Sequence, residues 1–153
     1  MSEIVVSDST CLIGLQRIRW LEVLPAVFER VWIPPAVAEE FGQTFPWLHI
    51  KAPVNADLVE SFETMVDRGE ASAIALAREL KCEVILDDRR ARQLAKAHHV
   101  PHLGLLGLLL RAKTNGSIET IRPAVEALRA QGFFLSDAVV AEALRRAGES
   151  MVF

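Results

Sequence analysis

Acidic side chains occur at four places in the sequence from which they can reach one common site. They are Asp8, the pair Glu39-Glu40, Glu70, and the pair Asp87-Asp88. Carboxylates brought close together repel one another and raise each other's pKa unless a cation compensates their charge. Oxygen-only ligation suits Mg²⁺ or Mn²⁺, and such ions stabilise the charge that develops when a phosphodiester is attacked in line. The pattern therefore indicates metal-dependent hydrolysis of a nucleic-acid backbone.

Each of these acids also suits a purely structural position. Asp8 can cap the helix that follows it, as can one member of Asp87-Asp88. Glu70 suits the first turn of its helix, where it complements the helix dipole, and Glu39-Glu40 suit a solvated helix face. Two details favour a site instead. Glu70 shares a helix face with the apolar residue Ala73, and a single cap explains only one of two adjacent aspartates.

Short apolar runs that alternate with helical patterns supply the framework for these acids. The predicted strands are 4–6, 31–33, 48–50, 84–86 and 100–103, and Pro101 confines the last one to a sheet edge. Alternation without hairpin turns predicts an α/β fold, with a central, mostly parallel sheet of about five strands covered by helices on both faces. Ligands bind outside the carboxyl ends of such strands, where Asp8 and Asp87-Asp88 stand.

Helical patterns occupy the segments between and after the strands. The clearest covers 70–80, whose apolar residues recur at three- and four-residue steps. Ser9 and Thr10 are candidate N-caps of the first helix, and Ser136 is a candidate N-cap of the last, which Gly148 ends. The other predicted helices are 21–29, 35–41, 58–65, 89–97, 104–114, 122–131 and 137–147.

The predicted helix over 89–97 is basic and begins beside Asp87-Asp88. Its charged side chains are Arg89, Arg90, Arg92 and Lys96. They suit a solvated face, or they steer the phosphates of a nucleic acid toward a metal site. Arg89 adjoins Asp88 and is the strongest single candidate for a phosphate contact.

The overall composition bounds the class of protein. The chain has 153 residues, 51% of them hydrophobic, which predicts one domain over 1–153 and excludes a disordered chain. The net charge of −3 does not by itself predict binding to nucleic acid. The charge is unevenly divided, however: residues 1–77 (5 basic, 11 acidic) carry −6 and residues 78–153 (12 basic, 9 acidic) carry +3. The apolar run Leu103–Leu110 is too short to span a membrane, and the N-terminus lacks the features of a signal peptide. We therefore expect a cytoplasmic protein without membrane contact.

Two further groups of residues admit a functional interpretation. Three histidines near one predicted turn suggest Zn²⁺, but no Cys or acid at the spacing of a structural zinc site accompanies them, which favours a solvated loop. Three tryptophans can stack on nucleobases, although the lack of basic residues between them favours packing. The histidines are His98, His99 and His102, and the tryptophans are Trp20, Trp32 and Trp47. Separately, we expect Cys11 and Cys82 to be buried free thiols.

Six segments, taken in their order and spacing, resemble the PIN-domain superfamily over nearly the whole chain. They are Ile4–Thr10, Ile33–Phe41, Gly69–Ile74, Ile85–Arg92, Gly132–Asp137 and Arg145–Glu149. The superfamily is known largely for VapC-like toxin ribonucleases, and the likeness extends to a branch of nucleic-acid-binding proteins of uncertain role. The resemblance implies a three-layer α/β/α sandwich, Mg²⁺ or Mn²⁺ in an acidic pocket, and single-stranded RNA as the substrate. It also implies a homodimer and, for toxins, a cognate antitoxin.

The resemblance assigns roles to individual residues as well. The catalytic, metal-binding acids of the family fall on Asp8, Glu40, Glu70 and Asp88, with Asp87 as a further metal ligand. The RNA-binding candidates are Arg89, Arg90 and Arg92. Glu70 stands where the family commonly has aspartate, and His102–Leu105 lacks the threonines found in this branch. These departures support a second hypothesis, a catalytically inactive PIN-like module that binds nucleic acid or regulates another protein.

Overall fold

The computed structural model describes residues 2–149. Within this range, five strands form one parallel sheet. The strands are β1 (Ser2–Ser7), β2 (Phe28–Ile33), β3 (Leu48–Ile50), β4 (Glu83–Ile85) and β5 (His102–Leu103). They lie in the order β3-β2-β1-β4-β5, and each neighbouring pair is parallel. The expected parallel sheet is confirmed, and the strand that follows Pro101 lies at an edge.

The central strand is β1, whose apolar residues are buried between both neighbours. Val5 and Val6 are fully buried, and Val6 pairs with Trp32 of β2 on one side and with Val84 of β4 on the other. The chain runs from β1 outward to β2 and β3, and then returns to β4 on the opposite side of β1. This reversal leaves a crevice at the carboxyl ends of β1 and β4, the usual place for a ligand in such a sheet.

Helices cover the sheet in the expected three-layer α/β/α arrangement. They are α1 Ser9–Arg17, α2 Val23–Val27, α3 Pro35–Phe41, α4 Ala56–Phe62, α5 Arg68–Leu80, α6 Arg89–Ala97, α7 Leu105–Thr114, α8 Arg122–Ala130 and α9 Asp137–Arg146. Contacts between helices form two groups. In the first, α5 contacts α3, α4 and α6, and α3 also contacts α1; in the second, α7 contacts α2 and α9.

Local capping groups fix the starts of several helices. The Oγ of Ser136 accepts the backbone N–H of Val139 at 3.1 Å, so Ser136 caps α9 as predicted. Of the caps that the sequence offers for the first helix, Asp8 caps α1, and Ser9 and Thr10 do not. The carboxylate is the stronger acceptor, and its position at the exit of β1 lets it reach the first turn of the helix.

The boundary between α2 and β2 also departs from the sequence prediction. The pattern predicts a helix over 21–29, but α2 ends at Val27 and Phe28 already belongs to β2. Phe28 pairs with Ser2 of β1, and its ring lies 5.7 Å from the guanidinium carbon of Arg111. Pairing within the sheet therefore overrides the local helical pattern at this point.

The core between sheet and helices is mainly apolar, and Ser7, Asp8, Ser9 and Ser72 are the polar residues buried in the described part of the chain. The largest fully buried side chains include Phe28, Leu12 and Ile74. Cys11 and Cys82 are buried and unbridged, as predicted. None of the helices in residues 2–149 has the length and apolar character needed to cross a membrane.

Candidate functional site

A cleft of about 1270 Å³ opens beside the carboxyl ends of β4 and β5. Its walls come from the segment that leads into α5, the start of α6, the connection from β5 into α7, and the start of α9. Charged residues of both signs line it: Glu63, Asp67, Glu70, Asp87, Asp88, Arg89, Arg90 and Arg92. The cleft thus lies at the carboxyl end of the sheet, next to the crevice between β1 and β4 and on the side of β5.

Asp8 lies at the end of β1, with only 2% of its surface exposed. Its Oδ1 accepts the backbone N–H of Cys11 at 2.9 Å, and its Oδ2 accepts the backbone N–H of Asp87 at 3.2 Å. Burial raises the pKa of this carboxyl to about 6; the hydrogen bonds oppose the rise, and repulsion from Asp87 adds to it. Asp8 therefore joins β1 to the segment after β4 and places a buried negative charge beside Asp87.

The two adjacent aspartates after β4 have different roles. Asp88 caps α6, because its Oδ2 accepts the backbone N–H of Ala91 at 3.0 Å. Asp87 donates its backbone N–H to Asp8 and lines the cleft. Burial raises the pKa of Asp87, the positive charge of Arg92 lowers it, and Asp88 raises it further. A cap thus accounts for one member of the pair only, as the sequence predicts.

Glu70 stands in the first turn of α5 and forms a capping box with Asp67. Asp67 Oδ1 accepts the N–H of Glu70 at 2.8 Å, and Glu70 Oε1 accepts the N–H of Asp67 at 3.3 Å. Burial and the charge of Asp67 raise the pKa of Glu70 to about 7, with smaller contributions from Asp88 and Asp8. Glu70 therefore shares its electrostatic environment with the acids that follow β1 and β4.

Glu40 lies on α3, next to the start of α5. Its pKa is raised by burial and by the charges of Asp67 and Glu39, while a hydrogen bond with Ser9 lowers it. A Cβ added at Gly69 would collide with its Oε1, so the absence of a side chain at Gly69 permits this close approach. Glu40 does not line the cleft, and its link to the other acids runs through Asp67.

The donor set fits a hard divalent cation in its chemistry. All the candidate ligands are carboxylates, and crowding and burial raise the pKa of Asp8, Glu70 and Asp87, a cost that a bound cation would relieve. Within residues 2–149, however, no three Asp, Glu, His or Cys side chains lie close enough together as placed to share an ion. Each carboxylate oxygen has a second lone pair, so the capping hydrogen bonds of Asp8, Glu70 and Asp88 are compatible with metal ligation.

The three predicted RNA-binding arginines line the same cleft as the acids. Arg89 and Arg90 are exposed, and Arg92 is half-buried. The Nη1 of Arg92 lies 3.5 Å from the carbonyl oxygen of Leu86, and its charge lowers the pKa of Asp87. Arg92 is therefore partly engaged within the protein, whereas Arg89 and Arg90 point their charges to solvent.

The alternative histidine and tryptophan sites receive no support. Among the described residues, the histidines do not form a group that could hold a metal ion. The ring of His98 packs edge-on against Phe62, with 4.7 Å between the ring centroids. Trp32 and Trp47 pack against His49 and Phe45, at centroid distances of 5.2 and 5.3 Å. These contacts favour packing roles over base stacking.

Asp67 and Phe134 are two cleft residues that bear on the site and were not identified from the sequence. Asp67 has a visible signal, since an aspartate three residues before a glutamate is typical of a capping box. Phe134 has none, because the adjacent Phe133 is chemically identical and only the fold distinguishes their exposure.

A family model described as a PIN domain matches residues 4–149. The matched range contains every acid and arginine described above. No curated protein matches the sequence.

Proposed function

The chain belongs to the PIN-domain family, and from this premise we propose that it is a metal-dependent endoribonuclease that hydrolyses phosphodiester bonds of single-stranded RNA. Membership of the family indicates a nuclease-type function, nucleic-acid binding and the use of a divalent metal ion. The observation that carries the finer proposal is that acids with raised pKa and exposed arginines line one cleft at the carboxyl ends of the strands.

The acids would hold Mg²⁺ or Mn²⁺ where the acidic part of this cleft meets Asp8 and Glu40, which do not line it. The proposed ligands are Asp8, Glu40, Glu70, Asp87 and Asp88, of which all but Asp87 are assigned as catalytic. When bound, the ion supplies Lewis-acid polarisation of a phosphoryl oxygen and lowers the pKa of an attacking water. Asp8 and Asp88 are held in fixed positions by backbone N–H groups, which reduces the reorganisation needed for ligation.

The arginines would bind the RNA backbone on either side of the scissile phosphate. Arg89 and Arg90 are exposed at the cleft and adjoin Asp88, so they lie beside the proposed metal ligands. Arg92 reduces the repulsion around Asp87 and supports that residue's ionised form. A chain of net charge −3 can therefore attract a polyanion locally.

Cleavage of labelled single-stranded RNA by the purified protein tests this proposal. We expect cleavage with Mg²⁺ or Mn²⁺, none with a chelator, and loss of cleavage in Asp8→Asn and Asp88→Asn. Asparagine keeps the helix-capping ability of Asp88 and removes its charge. Asp57→Asn is the matched control, because Asp57 is an exposed acid in the first turn of α4, away from the cleft. Equal cleavage by all variants would refute the assignment of the ligands.

We also propose that the protein is a homodimer and that it acts as a toxin with a cognate antitoxin. Support comes from the family resemblance, which associates this fold with such pairs. Sedimentation equilibrium measures the dimer, and a small DNA-binding protein encoded beside the gene would support the antitoxin. A monomer at micromolar concentration would contradict the first part.

A second candidate function is a catalytically inactive module that binds nucleic acid. The observation that favours it is the engagement of Asp8, Glu70 and Asp88 in helix capping, with no three metal-ligating side chains close together as placed in residues 2–149. RNA binding without cleavage at millimolar Mg²⁺ and Mn²⁺ would support this candidate over the nuclease.

A further inference from the structure

The ring of Phe134 lies at the mouth of the cleft with 93% of the residue's surface exposed. Its neighbour Phe133 is placed differently. A Cβ at Gly14 would overlap the ring of Phe133, so that ring is seated directly on the backbone of α1. One phenylalanine of the pair therefore anchors the segment to the protein, and the other projects into solvent beside the charged residues of the site.

Hydrogen bonds hold the backbone on both sides of Phe134. The N–H of Phe133 donates to the carbonyl oxygen of Leu128 at 3.0 Å. On the other side, the carbonyl oxygen of Leu135 accepts from Nε and Nη2 of Arg129 at 3.1 and 2.6 Å, and Arg129 also pairs with Asp137 at 2.8 Å. These contacts fix the backbone on both sides of Phe134, so its ring extends into solvent from a held backbone position.

We propose that Phe134 is a platform on which an unpaired base of single-stranded RNA stacks while Arg89 and Arg90 bind the adjoining phosphates. This inference rests on the proposed function and adds a substrate contact to it. Aromatic rings beside a positively charged groove are the general means by which proteins bind single strands, since every base has a π-face.

The surroundings of Phe134 favour a nucleotide over a protein surface. The core of a protein interface is depleted of charged residues, because their desolvation is costly. The cleft that Phe134 shares has exposed Asp88, Arg89 and Arg90, together with two further exposed apolar residues, Met65 and Val139. A nucleotide suits this mixture, because its phosphate engages the arginines and its base engages the ring.

Fluorescence anisotropy with a labelled single-stranded RNA tests the proposal in the full chain. All variants carry Asp8→Asn so that the RNA stays intact during the measurement. We expect Phe134→Ala to weaken binding about 10-fold, the usual effect of losing one stacked base. Phe134→Trp restores the affinity because it keeps a stacking surface, whereas Phe134→Leu, which keeps only apolar character, does not. Val54→Ala is the control, since Val54 is 85% exposed and does not line the cleft.

A second RNA of equal length, with its bases removed, separates stacking from backbone binding. We expect the parent that retains Phe134 to bind this RNA about 10-fold more weakly than the RNA with bases. The Phe134→Ala variant should bind both RNAs with equal affinity. If Phe134→Ala binds as tightly as its parent while Arg89→Ala weakens binding, the platform is refuted and the proposed function stands. If neither RNA binds the parent at all, the platform is refuted, and cleavage of RNA by the unmodified chain decides the proposed function. If Phe134→Ala abolishes self-association in sedimentation and leaves RNA affinity unchanged, the ring belongs to a protein interface instead.

Discussion

The effect of Asp8→Asn on the free energy of unfolding of the metal-free protein should be more favourable at neutral pH than at acidic pH. The pKa of Asp8 is raised from 3.8 to about 6 in the folded protein. Between these values the folded chain keeps a proton that the unfolded chain has released, so its stability falls as the pH rises through this window. The penalty is complete above about pH 6 and amounts to roughly 3 kcal/mol, at about 1.4 kcal/mol for each pKa unit.

Asparagine removes this penalty and introduces a smaller, constant cost. Its side-chain amide oxygen can still accept the N–H of Cys11, but its NH₂ group would face the N–H donor of Asp87. One unmatched donor costs about 1–3 kcal/mol at every pH. Because that cost does not titrate, the difference between two pH values isolates the charge: Asp8→Asn should be about 2 kcal/mol more favourable near pH 7.5 than near pH 4.5.

Urea unfolding followed by tryptophan fluorescence, in the presence of a chelator, measures this difference. Asp57→Asn serves as the control for removal of an exposed carboxylate and should show no comparable change between the two pH values. Addition of Mn²⁺ should reverse the order, because ligand binding stabilises only the folded chain that retains the carboxylate. If Asp8→Asn is equally destabilising at both pH values, Asp8 acts only as a helix cap and its burial imposes no penalty on the charged carboxylate.

Four further outcomes follow from the site. Arg89→Ala should reduce the slope of log affinity for RNA against log salt by about 0.7, measured by salt titration, as expected for one lost phosphate contact on a single strand. Asp88→Asn should leave the thermal midpoint nearly unchanged, whereas Asp88→Ala should cost about 1 kcal/mol through loss of the α6 cap, measured by denaturation. Gly69→Ala should displace the exposed carboxylate of Glu40 with less than about 1 kcal/mol of destabilisation and lower the cleavage rate in a metal-saturated assay. Cleavage at fixed, subsaturating Mg²⁺ should rise between about pH 6 and 8, because the pKa of Glu70 is raised to about 7 and its ionised form is the metal ligand.

The sheet and most helices could be predicted because their signals are local. Buried parallel strands are short apolar runs, and helix starts carry caps such as Ser136, so the sequence contains both directly. The start of β2 could not be predicted from local pattern. Phe28 becomes extended only because it pairs with Ser2, a contact between distant parts of the chain.

The residues of the candidate site were predictable, but their arrangement was not. Acids at strand ends and a basic helix predict a shared crevice, and the cleft contains Glu70, Asp87-Asp88 and the arginines. The sequence does not indicate that Glu40 approaches Gly69 without lining the cleft, or that the charge of Asp67 raises the pKa of both Glu40 and Glu70. Such details depend on how α3 packs against α5, which only the folded chain defines.

A titration of the metal-free protein with Mn²⁺ in a calorimeter tests most directly whether the carboxylates in and beside the cleft hold a divalent cation. We expect saturable binding by the unmodified chain and by Asp57→Asn, with binding lost or strongly weakened in Asp8→Asn and Asp88→Asn. A folded, unmodified chain that takes up no Mn²⁺ at millimolar concentration would contradict the metal site and, with it, the proposed nuclease mechanism.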